Sequence, residues 1–230
     1  MKGDATKKEL TLVFTGHEFA DGYNTISSVL KKHNIKAGFF FTGDFYRNPN
    51  YSNLIKELKK NGHYLGAHSD KHILYASWEK RDSTLVTKKE FTNDILDNYA
   101  EMKKFGINKA DAPYFMPPFE WYNKEIVRWT EELGLTLINY SPGSLSNADY
   151  TIPVPNERYY SSDSIYNKIL HFEKNNPSGL NGFILLTHIG TDPRRIDKFY
   201  NRLDNLITDL KKKGYKFVSL KELFERKLTP

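Results

Sequence analysis

The feature that most restricts the fold of this 230-residue chain is a regular alternation of short apolar runs with amphipathic stretches of helical period. Runs typical of buried strands recur seven times, at Leu10–Phe14, Ala37–Thr42, His63–Ala67, Ala112–Phe115, Leu135–Asn139, Gly182–Thr187 and Tyr215–Val218. Alternating strands and helices need crossover connections, which produce a parallel sheet. Seven such units predict an α/β fold, and a (β/α) barrel of about seven parallel strands rather than an open sheet.

The predicted helices lie between these runs. They span Thr25–His33, Ser52–Asn61, Lys88–Lys104, Lys124–Leu133, Asp163–Asn175, Ile196–Lys213 and Leu220–Arg226. Thr87 with Glu90, and Ser219 with Glu222, show the capping-box pattern that marks a helix start. No Pro-, Gly- or Ser-rich linker interrupts the alternation. We therefore expect residues 10–230 to form a single domain, preceded by residues 1–9 that are disordered or derive from expression.

The sequence contains no cysteine. Cysteine nucleophiles, zinc–thiolate sites, iron–sulfur clusters and disulfide scaffolds are thereby excluded. Any metal site in this chain must be built from histidine, aspartate and glutamate.

Charge and hydropathy argue against two further classes of protein. The net charge of +6 comes from residues 194–230, where basic side chains accompany an apolar stripe that begins at Ile196, a pattern typical of a solvated helix face. Because no nucleic-acid-binding motif is present, we expect no nucleic-acid partner. No apolar run approaches the roughly 18 residues of a membrane span, and Leu10–Phe14 is too short for the core of a signal peptide.

Histidines cluster where a barrel of this kind places its chemistry. The loops that follow the strands converge at the carboxyl ends of those strands. Four of the seven histidines fall there: His17, His68, His72 and His188. His68 and His72 are four residues apart, a spacing that brings two imidazoles to one side of a helical turn. The spacing alone also suits two surface histidines, but its position at a strand end favours a shared metal ion.

Four motifs occur in the order found in one known family. They are Phe39–Gly43, Asn61–His72, Met116–Phe119 and Leu185–His188. The most specific is G-H-x-x-G-x-H-S-x-x-H, which ends on the histidine pair. Over Leu10–Phe224 the sequence resembles the polysaccharide deacetylase family, carbohydrate esterase family 4 with the NodB-homology domain. The resemblance implies a distorted (β/α) barrel and a single catalytic domain over residues 10–230.

The resemblance also implies a metal-dependent hydrolase that removes N- or O-linked acetyl groups from a carbohydrate. By that resemblance His68 and His72 would bind Zn²⁺, with Co²⁺ or Ni²⁺ as alternatives. A carboxylate would take a proton from water, His188 would protonate the departing amine or alkoxide, and a backbone N–H near Phe119 would stabilise the oxyanion. The implied partner is an acetylated oligo- or polysaccharide, and the implied location is secreted or periplasmic. No oligomeric state follows from it.

The first family motif is absent. The family pattern T-F-D-D-G supplies a catalytic base and a third metal ligand from its two aspartates, whereas the matching residues Val13–His17 contain no aspartate. The family arginine before the Pro-Pro pair is Met116 here. A buried arginine without its carboxylate would be an unpaired charge, so the two losses are consistent with removal of the pair as a unit.

Two interpretations follow from these losses. In the first, Glu18 replaces the missing metal ligand and Asp21 acts as the base, with His17 nearby. The alternative for this acidic loop is a solvated turn at Asp21-Gly22. In the second, the chain has lost catalysis and binds glycan. A metal-dependent hydrolase of a different C–N bond keeps the same ligands and is a third possibility.

Aromatic and acidic residues complete the predicted site. Three aromatic residues are predicted to bind substrate by stacking on sugar faces: Phe119, Trp121 and Tyr140. Trp78 is placed to form a wall of the site, and packing in the core is the alternative for all four rings. Asp149 and Asp192 are candidates to orient His188, and their spacing does not choose between them.

Overall fold

A computed structural model describes residues 3–155 and 157–225 of the chain. These residues form two compact units. One unit spans Phe39–Asn139, and the other combines residues 3–38 with residues 140–225. The parts of the sequence predictions that concern Met1, Lys2, Asn156 and residues 226–230 lie outside the described residues.

Residues 3–155 and 157–225 contain seven strands and eight α-helices, and each strand is followed by at least one helix. The strands are β1 (Glu9–Gly16), β2 (Gly38–Phe41), β3 (Tyr64–Ala67), β4 (Tyr114–Phe115), β5 (Thr136–Leu137), β6 (Phe183–His188) and β7 (Lys216–Phe217). The helices are α1 (Tyr23–His33), α2 (Gly43–Arg47), α3 (Ser52–Lys60), α4 (Lys88–Lys104), α5 (Lys124–Glu132), α6 (Ser162–Asn175), α7 (Leu203–Lys212) and α8 (Leu220–Glu225). All seven predicted strands are confirmed within two residues at each end.

In the unit of residues 3–38 and 140–225, β1 lies between β6 and β7 and runs parallel to both. Its residues are buried from Leu10 onward, as expected for a parallel strand with both faces covered. The register with β6 runs from Leu10 opposite Phe183 to Thr15 opposite His188. The carboxyl ends of these two strands therefore lie side by side, and the Gly22 N–H after β1 donates to the Ile189 carbonyl after β6 at 2.9 Å.

In the unit spanning Phe39–Asn139, the strand order is β5-β4-β3-β2, and the registers of β3 with β4 and of β4 with β5 are parallel. Beyond the last paired residues, the His68 N–H donates to the Phe41 carbonyl at 3.2 Å, and the Met116 N–H donates to the Ala67 carbonyl at 3.1 Å. These bonds place the segments after β3 and β4 beside each other at the carboxyl edge, which is where the sequence predicted chemistry.

Both capping boxes are confirmed by reciprocal hydrogen bonds. The Thr87 hydroxyl accepts from the Glu90 N–H while the Glu90 carboxylate accepts from the Thr87 N–H, so α4 begins where predicted. Ser219 and Glu222 exchange the same two bonds at the start of α8. The motif works because it satisfies two helix-terminal N–H groups that have no partner within the helix.

The predicted helix Ile196–Lys213 is wrong in its first half. Ile196 is 88% exposed, residues Phe199–Arg202 form a 3-10 turn, and α7 begins only at Leu203. The segment before α7 is instead held in a turn by contacts to distant residues, because Arg195 Nη1 donates to the Thr151 carbonyl at 2.6 Å and Lys198 Nζ lies 2.8 Å from Asp21 Oδ2. The five-residue helix α2 was not predicted, since it is too short to show a helical period.

The domain organisation inferred from the sequence stays a prediction. It took residues 10–230 as one domain and residues 1–9 as disordered or derived from expression. Within residues 1–9, Gly3 is buried and its N–H donates to the Gly182 carbonyl at 2.7 Å.

Candidate functional site

His68 and His72 lie in the irregular loop that follows β3. The expectation of a helical turn between them is wrong. Ser69 has φ +74° and His72 has φ +55°, so two non-glycine residues adopt the left-handed conformation within five positions. Such backbone is uncommon for residues with a side chain and persists only where surrounding contacts hold it. The loop is therefore imposed by its surroundings, and it brings the two imidazole rings together.

The ring centroids of His68 and His72 are 5.1 Å apart. His68 is buried, and its Nδ1 lies 2.8 Å from the Met116 carbonyl oxygen. A carbonyl oxygen only accepts, so Nδ1 carries the proton and Nε2 carries the lone pair of the neutral ring. Hydrogen bonding of one ring nitrogen to a carbonyl is the usual arrangement behind a metal-ligating histidine.

The histidine pair fits a divalent transition-metal ion. Two imidazoles that share a tetrahedral ion at a Zn–N distance of ~2.0–2.1 Å have ring centroids about 5 Å apart, which agrees with the separation of His68 and His72. In the part of the chain that the structure describes, no three His, Asp or Glu side chains form a group that could hold a metal ion. A third ligand is not assigned by this geometry, and Glu18 in that role stays a prediction.

Helix α4 supports the histidine loop with polar side chains on its buried face. The Asn98 Oδ1 accepts from the His68 N–H at 2.9 Å. The Asp94 carboxylate accepts from the Lys71 N–H at 3.1 Å and from the Tyr75 hydroxyl. Burial raises the pKa of the Asp94 carboxyl, and these hydrogen bonds only partly offset that effect. The histidine loop is thus fixed to α4 by Asp94 and Asn98, which lie one helical turn apart.

Helix α2 fixes the same loop from the side. The Gly43 N–H donates to the Ser69 carbonyl at 3.0 Å, and Arg47 Nη1 donates to Asp70 Oδ1 at 2.7 Å. A Cβ at position 43 would lie 1.7 Å from Asp70 Oδ1, so this approach requires glycine. The Asp70 hydrogen bond raises the pKa of the Arg47 guanidinium despite an opposing effect of burial.

Phe119 and Trp121, predicted to bind substrate, follow β4 in the same unit. Phe119 has φ +58° and Glu120 has φ +53°, so a second left-handed segment stands beside the histidine loop. The Phe119 ring centroid lies 4.5 Å from that of His72. The structure therefore brings together four of the predicted residues: His68, His72, Phe119 and Trp121, which is linked to Phe119 through Trp78.

The other unit places His188 at the end of β6 with Asp149 against it. Asp149 Oδ2 accepts from the His188 backbone N–H at 2.9 Å, and Asp149 Oδ1 lies 2.7 Å from His188 Nδ1. The Asp149 side chain is only 3% exposed. The sequence offered Asp149 and Asp192 as alternative partners of His188. Asp149 contacts the His188 ring, whereas Asp192 pairs with Arg194. Asp149 thus holds the His188 ring with Nδ1 protonated, and the role of His188 as a catalytic acid stays a prediction.

Asp21 lies in the loop after β1 and is tied to three groups of its own unit. Its carboxylate accepts from the Thr191 N–H at 2.9 Å and the Tyr200 hydroxyl at 2.9 Å, and it lies 2.8 Å from Lys198 Nζ. Burial raises the pKa of the Asp21 carboxyl, but these partners outweigh burial and lower the pKa overall. The geometry explains how Asp21 holds the loop, and its role as a catalytic base stays a prediction.

The remaining predicted residues are placed as follows. Glu18 is exposed and His17 is half-buried in the bend after β1. Tyr140, which follows the unit Phe39–Asn139 in the chain, is half-buried. Their predicted roles in metal or substrate binding are not tested by these positions.

The model of the family described as Polysaccharide deacetylase matches residues 2–138, more than half of the chain. The chain belongs to the polysaccharide deacetylase family. A curated relative, the peptidoglycan-N-acetylmuramic acid deacetylase PdaA of Bacillus subtilis, is 29% identical over 229 residues, which cover 98% of this chain and 75% of the relative. The recognition made from the four sequence motifs is thereby confirmed.

Two solved structures have the same fold as this chain. The Bc1960 peptidoglycan N-acetylglucosamine deacetylase gives a TM-score of 0.76 at 24% identity, over 97% of this chain and 91% of that one. BA3943, a family 4 carbohydrate esterase pseudoenzyme from Bacillus anthracis, gives 0.73 at 21% identity, over 96% of this chain and 67% of that one. The predicted α/β deacetylase-like fold is confirmed.

Most of the residues that surround the histidine loop were not identified from the sequence. Asp94 and Asn98 share the buried face of α4 with Phe91, Ile95 and Met102. Polar residues at apolar positions of an amphipathic helix are a usable signal, because a buried polar group needs a partner. None of the helices in residues 3–155 and 157–225 is both long and apolar enough to span a bilayer.

Proposed function

We propose that this polysaccharide deacetylase is a divalent-metal-dependent hydrolase that removes acetyl groups from an N- or O-acetylated glycan, with peptidoglycan as the first substrate to test. The observation that carries the proposal is the His68–His72 pair, with rings 5.1 Å apart and the His68 Nδ1–H donated to a carbonyl. The curated relatives support the substrate class, since they include deacetylases of N-acetylmuramic acid and of N-acetylglucosamine in peptidoglycan.

In this proposal His68 and His72 hold the ion, with Zn²⁺ preferred and Co²⁺ or Ni²⁺ as alternatives. Glu18 is the proposed third ligand. When bound, such an ion supplies Lewis acidity that polarises an acetyl carbonyl and makes water more acidic. The polar contacts of Asn98 and Asp94 keep the loop in its left-handed conformation, so that both rings are oriented before an ion arrives.

His188 is the proposed general acid. Its Nδ1 faces the buried Asp149 carboxylate, which stabilises the protonated ring and leaves Nε2 to donate a proton to the departing amine or alkoxide. Asp21 is the proposed base. Its lowered pKa keeps it ionised at neutral pH, although it must give up contacts to Lys198 or Tyr200 to act.

A specific observation favours a second candidate, a glycan-binding protein without catalysis. Thr15 and Gly16 stand where the family pattern carries its two aspartates. Thr15 is buried, and its Oγ1 has no hydrogen-bond partner within residues 3–155 and 157–225. A hydroxyl there supplies neither the charge nor the basicity of a carboxylate. The similarity in fold to a pseudoenzyme is consistent with this candidate.

Acetate release and metal content together distinguish the two candidates. The protein is stripped with a chelator, reloaded with Zn²⁺, Co²⁺ or Ni²⁺, and incubated with peptidoglycan fragments, chitin oligosaccharides and acetylated xylan. We expect acetate release that is lost in the double variant His68→Ala/His72→Ala, together with its bound metal. His171→Ala is the matched control, because His171 is exposed on α6.

Each outcome of this experiment has a defined meaning. Full metal content in the double variant would contradict the assignment of the histidine pair. If no substrate releases acetate while the protein still binds metal and glycan, the glycan-binding candidate is supported. A Gly16→Asp/Thr15→Asp variant that gains acetate release would strengthen that conclusion. Acetylated cell-wall glycan as the partner implies a secreted or periplasmic location, which fractionation of the producing cell tests.

A further inference from the structure

The loop between the histidine pair and α4 carries an unusually exposed tryptophan. We name residues 76–84 the Trp78 hairpin, because Ala76 and Thr84 pair as an isolated antiparallel bridge at its base. Trp78 near its tip is 55% exposed. A single exposed apolar side chain is ordinary, whereas exposed rings that form a contiguous patch mark an interaction site.

The hairpin is rigidly built. The Ser77 N–H donates to the Ser83 carbonyl at 2.9 Å, and the Ser77 hydroxyl accepts from the Lys80 N–H at 3.1 Å. At its base, Asn123 Nδ2 donates to the Thr84 hydroxyl at 2.8 Å. These bonds close the hairpin at both ends and fasten it to the segment before α5. Trp78 is therefore held in place while its ring stays exposed.

Trp78 packs on one side against Trp121. Their ring centroids are 5.1 Å apart with an interplanar angle of 31°, and the Trp121 indole N–H donates to the Ser77 carbonyl at 3.1 Å. The Arg81 guanidinium lies 4.2 Å from the Trp121 ring centroid, and its Nε donates to the Tyr122 carbonyl at 2.9 Å. Trp121 thus contacts both Trp78 and Arg81, and hydrogen bonds fix the segments that carry all three residues.

This aromatic surface is continuous with the histidine pair. The Trp78 ring centroid lies 5.9 Å from that of Phe119, and Phe119 lies 4.5 Å from His72. Phe119 is itself 43% exposed. A single ring therefore separates Trp78 from the proposed metal ligands. A linear molecule with its reacting group at His72 would pass over Phe119 and reach Trp78.

We propose that Trp78 and Arg81 form a subsite for the pyranose ring next to the acetylated sugar of a glycan chain. This inference rests on the proposed function. Within residues 3–155 and 157–225, neither the Trp78 Nε1–H nor the two Nη groups of Arg81 have a hydrogen-bond partner. A flat apolar ring edged by unused donors matches a pyranose, whose C–H face is apolar and whose rim carries oxygen acceptors. The subsite reads the sugar ring and not its acetyl group.

Saccharide binding measured apart from catalysis tests this subsite. Tetra-N-acetylchitotetraose and cellotetraose, which lacks acetyl groups, are titrated into the purified protein with tryptophan fluorescence and calorimetry as readouts. The variants are Trp78→Ala, Trp78→Phe and Arg81→Gln. Leu96→Ala is the matched control, because Leu96 is an exposed apolar residue on α4. Circular dichroism and thermal unfolding confirm that each variant is folded.

We expect Trp78→Ala to weaken the binding of both tetrasaccharides by about 10-fold. Trp78→Phe keeps a ring and should lose less than about 3-fold, Arg81→Gln should lose about 3- to 10-fold, and Leu96→Ala should bind like the wild type. An affinity of Trp78→Ala within about 2-fold of the wild type for both saccharides overturns the subsite. So does a wild-type dimer that Trp78→Ala converts to a monomer while saccharide affinity stays the same.

Failure of the subsite and failure of the proposed function give different results. If tetra-N-acetylchitotetraose binds through Trp78 but no acetate is released from any acetylated glycan, the subsite stands and the proposed hydrolysis fails. If acetate is released and both KM and Kd are unchanged in Trp78→Ala, the hydrolysis stands and the subsite fails.

Discussion

Replacement of Asp149 by asparagine is expected to remove most of the catalytic contribution of His188 while leaving the fold intact. In Asp149→Asn the side-chain oxygen can still accept from the His188 backbone N–H, which lies 2.9 Å from Oδ2. The new amide NH₂ would face Nδ1, now 2.7 Å from Oδ1. An amide donor there favours the opposite tautomer, with the proton on Nε2, and no longer stabilises the charged ring.

The magnitude follows from the distance between the charges. An imidazolium and a carboxylate with charge centres about 4 Å apart attract by roughly 4 kcal/mol at an effective dielectric constant of about 20. Because each ~1.4 kcal/mol is a factor of ten in rate, we expect kcat to fall by about 100- to 1,000-fold. The variant keeps the backbone hydrogen bond and exchanges the charge-assisted contact with Nδ1 for a neutral one. It should therefore lose about 1 kcal/mol of unfolding free energy, which lowers Tm by roughly 2 °C for a chain of this length.

The assay combines acetate release, thermal unfolding and nitrogen NMR of the histidine side chains. In the wild type the NMR spectrum should show neutral His188 protonated at Nδ1, and in Asp149→Asn this signature should change whether or not the protein is active. Asp192→Asn is the control, because Asp192 pairs with Arg194 and should leave kcat and the His188 spectrum unchanged. A kcat and a His188 tautomer that both survive Asp149→Asn would refute the reasoning.

Three further predictions concern stability. Asp21→Asn removes the pairing with Lys198. Since the pKa of Asp21 is lowered in the fold, the stabilisation is present at pH 7 and is lost as the pH falls below 3.8 and through the folded pKa. Urea unfolding should therefore show a difference of at most about 1 kcal/mol at pH 7 that shrinks below pH 3.8. Asn98→Ala removes the nearer of the two acceptors of the His68 N–H and leaves a cavity, so we expect a loss of about 1–2 kcal/mol and weaker Zn²⁺ binding by calorimetry. Unchanged Zn²⁺ affinity would contradict a positioning role of Asn98. Arg195→Met leaves the Thr151 and Tyr160 carbonyls without their buried donor and should lower Tm by roughly 4–8 °C. A Tm within about 1 °C of the wild type would show that the buried Arg195 does not stabilise the fold.

Local elements of this fold were predictable because their causes are local. A capping box depends on two side chains three residues apart, and both boxes formed as predicted. The strands were found for a similar reason, since a continuous apolar run such as Leu10–Phe14 is incompatible with an exposed element. The seven strands and the deacetylase-like fold therefore followed from patterns read within short windows.

The histidine pair shows where local reasoning stops. Its spacing and its position after a strand selected His68 and His72, but the expected helical turn is instead a loop with left-handed residues. That conformation is stabilised by Asn98 on α4 and by Gly43 at the start of α2, both more than twenty positions away in sequence. No rule based on neighbouring residues contains those contacts.

The sequence by itself determined the order of strands and helices, the exclusion of thiol chemistry and the choice of His68, His72 and His188 as the residues to examine. Only the tertiary structure decided that Asp149, 39 positions from His188, is its partner and that Asp192, four positions away, is not. The physical reason is that partner choice depends on strand register and on where loops fold back, and both are set by packing between segments that are distant in the chain.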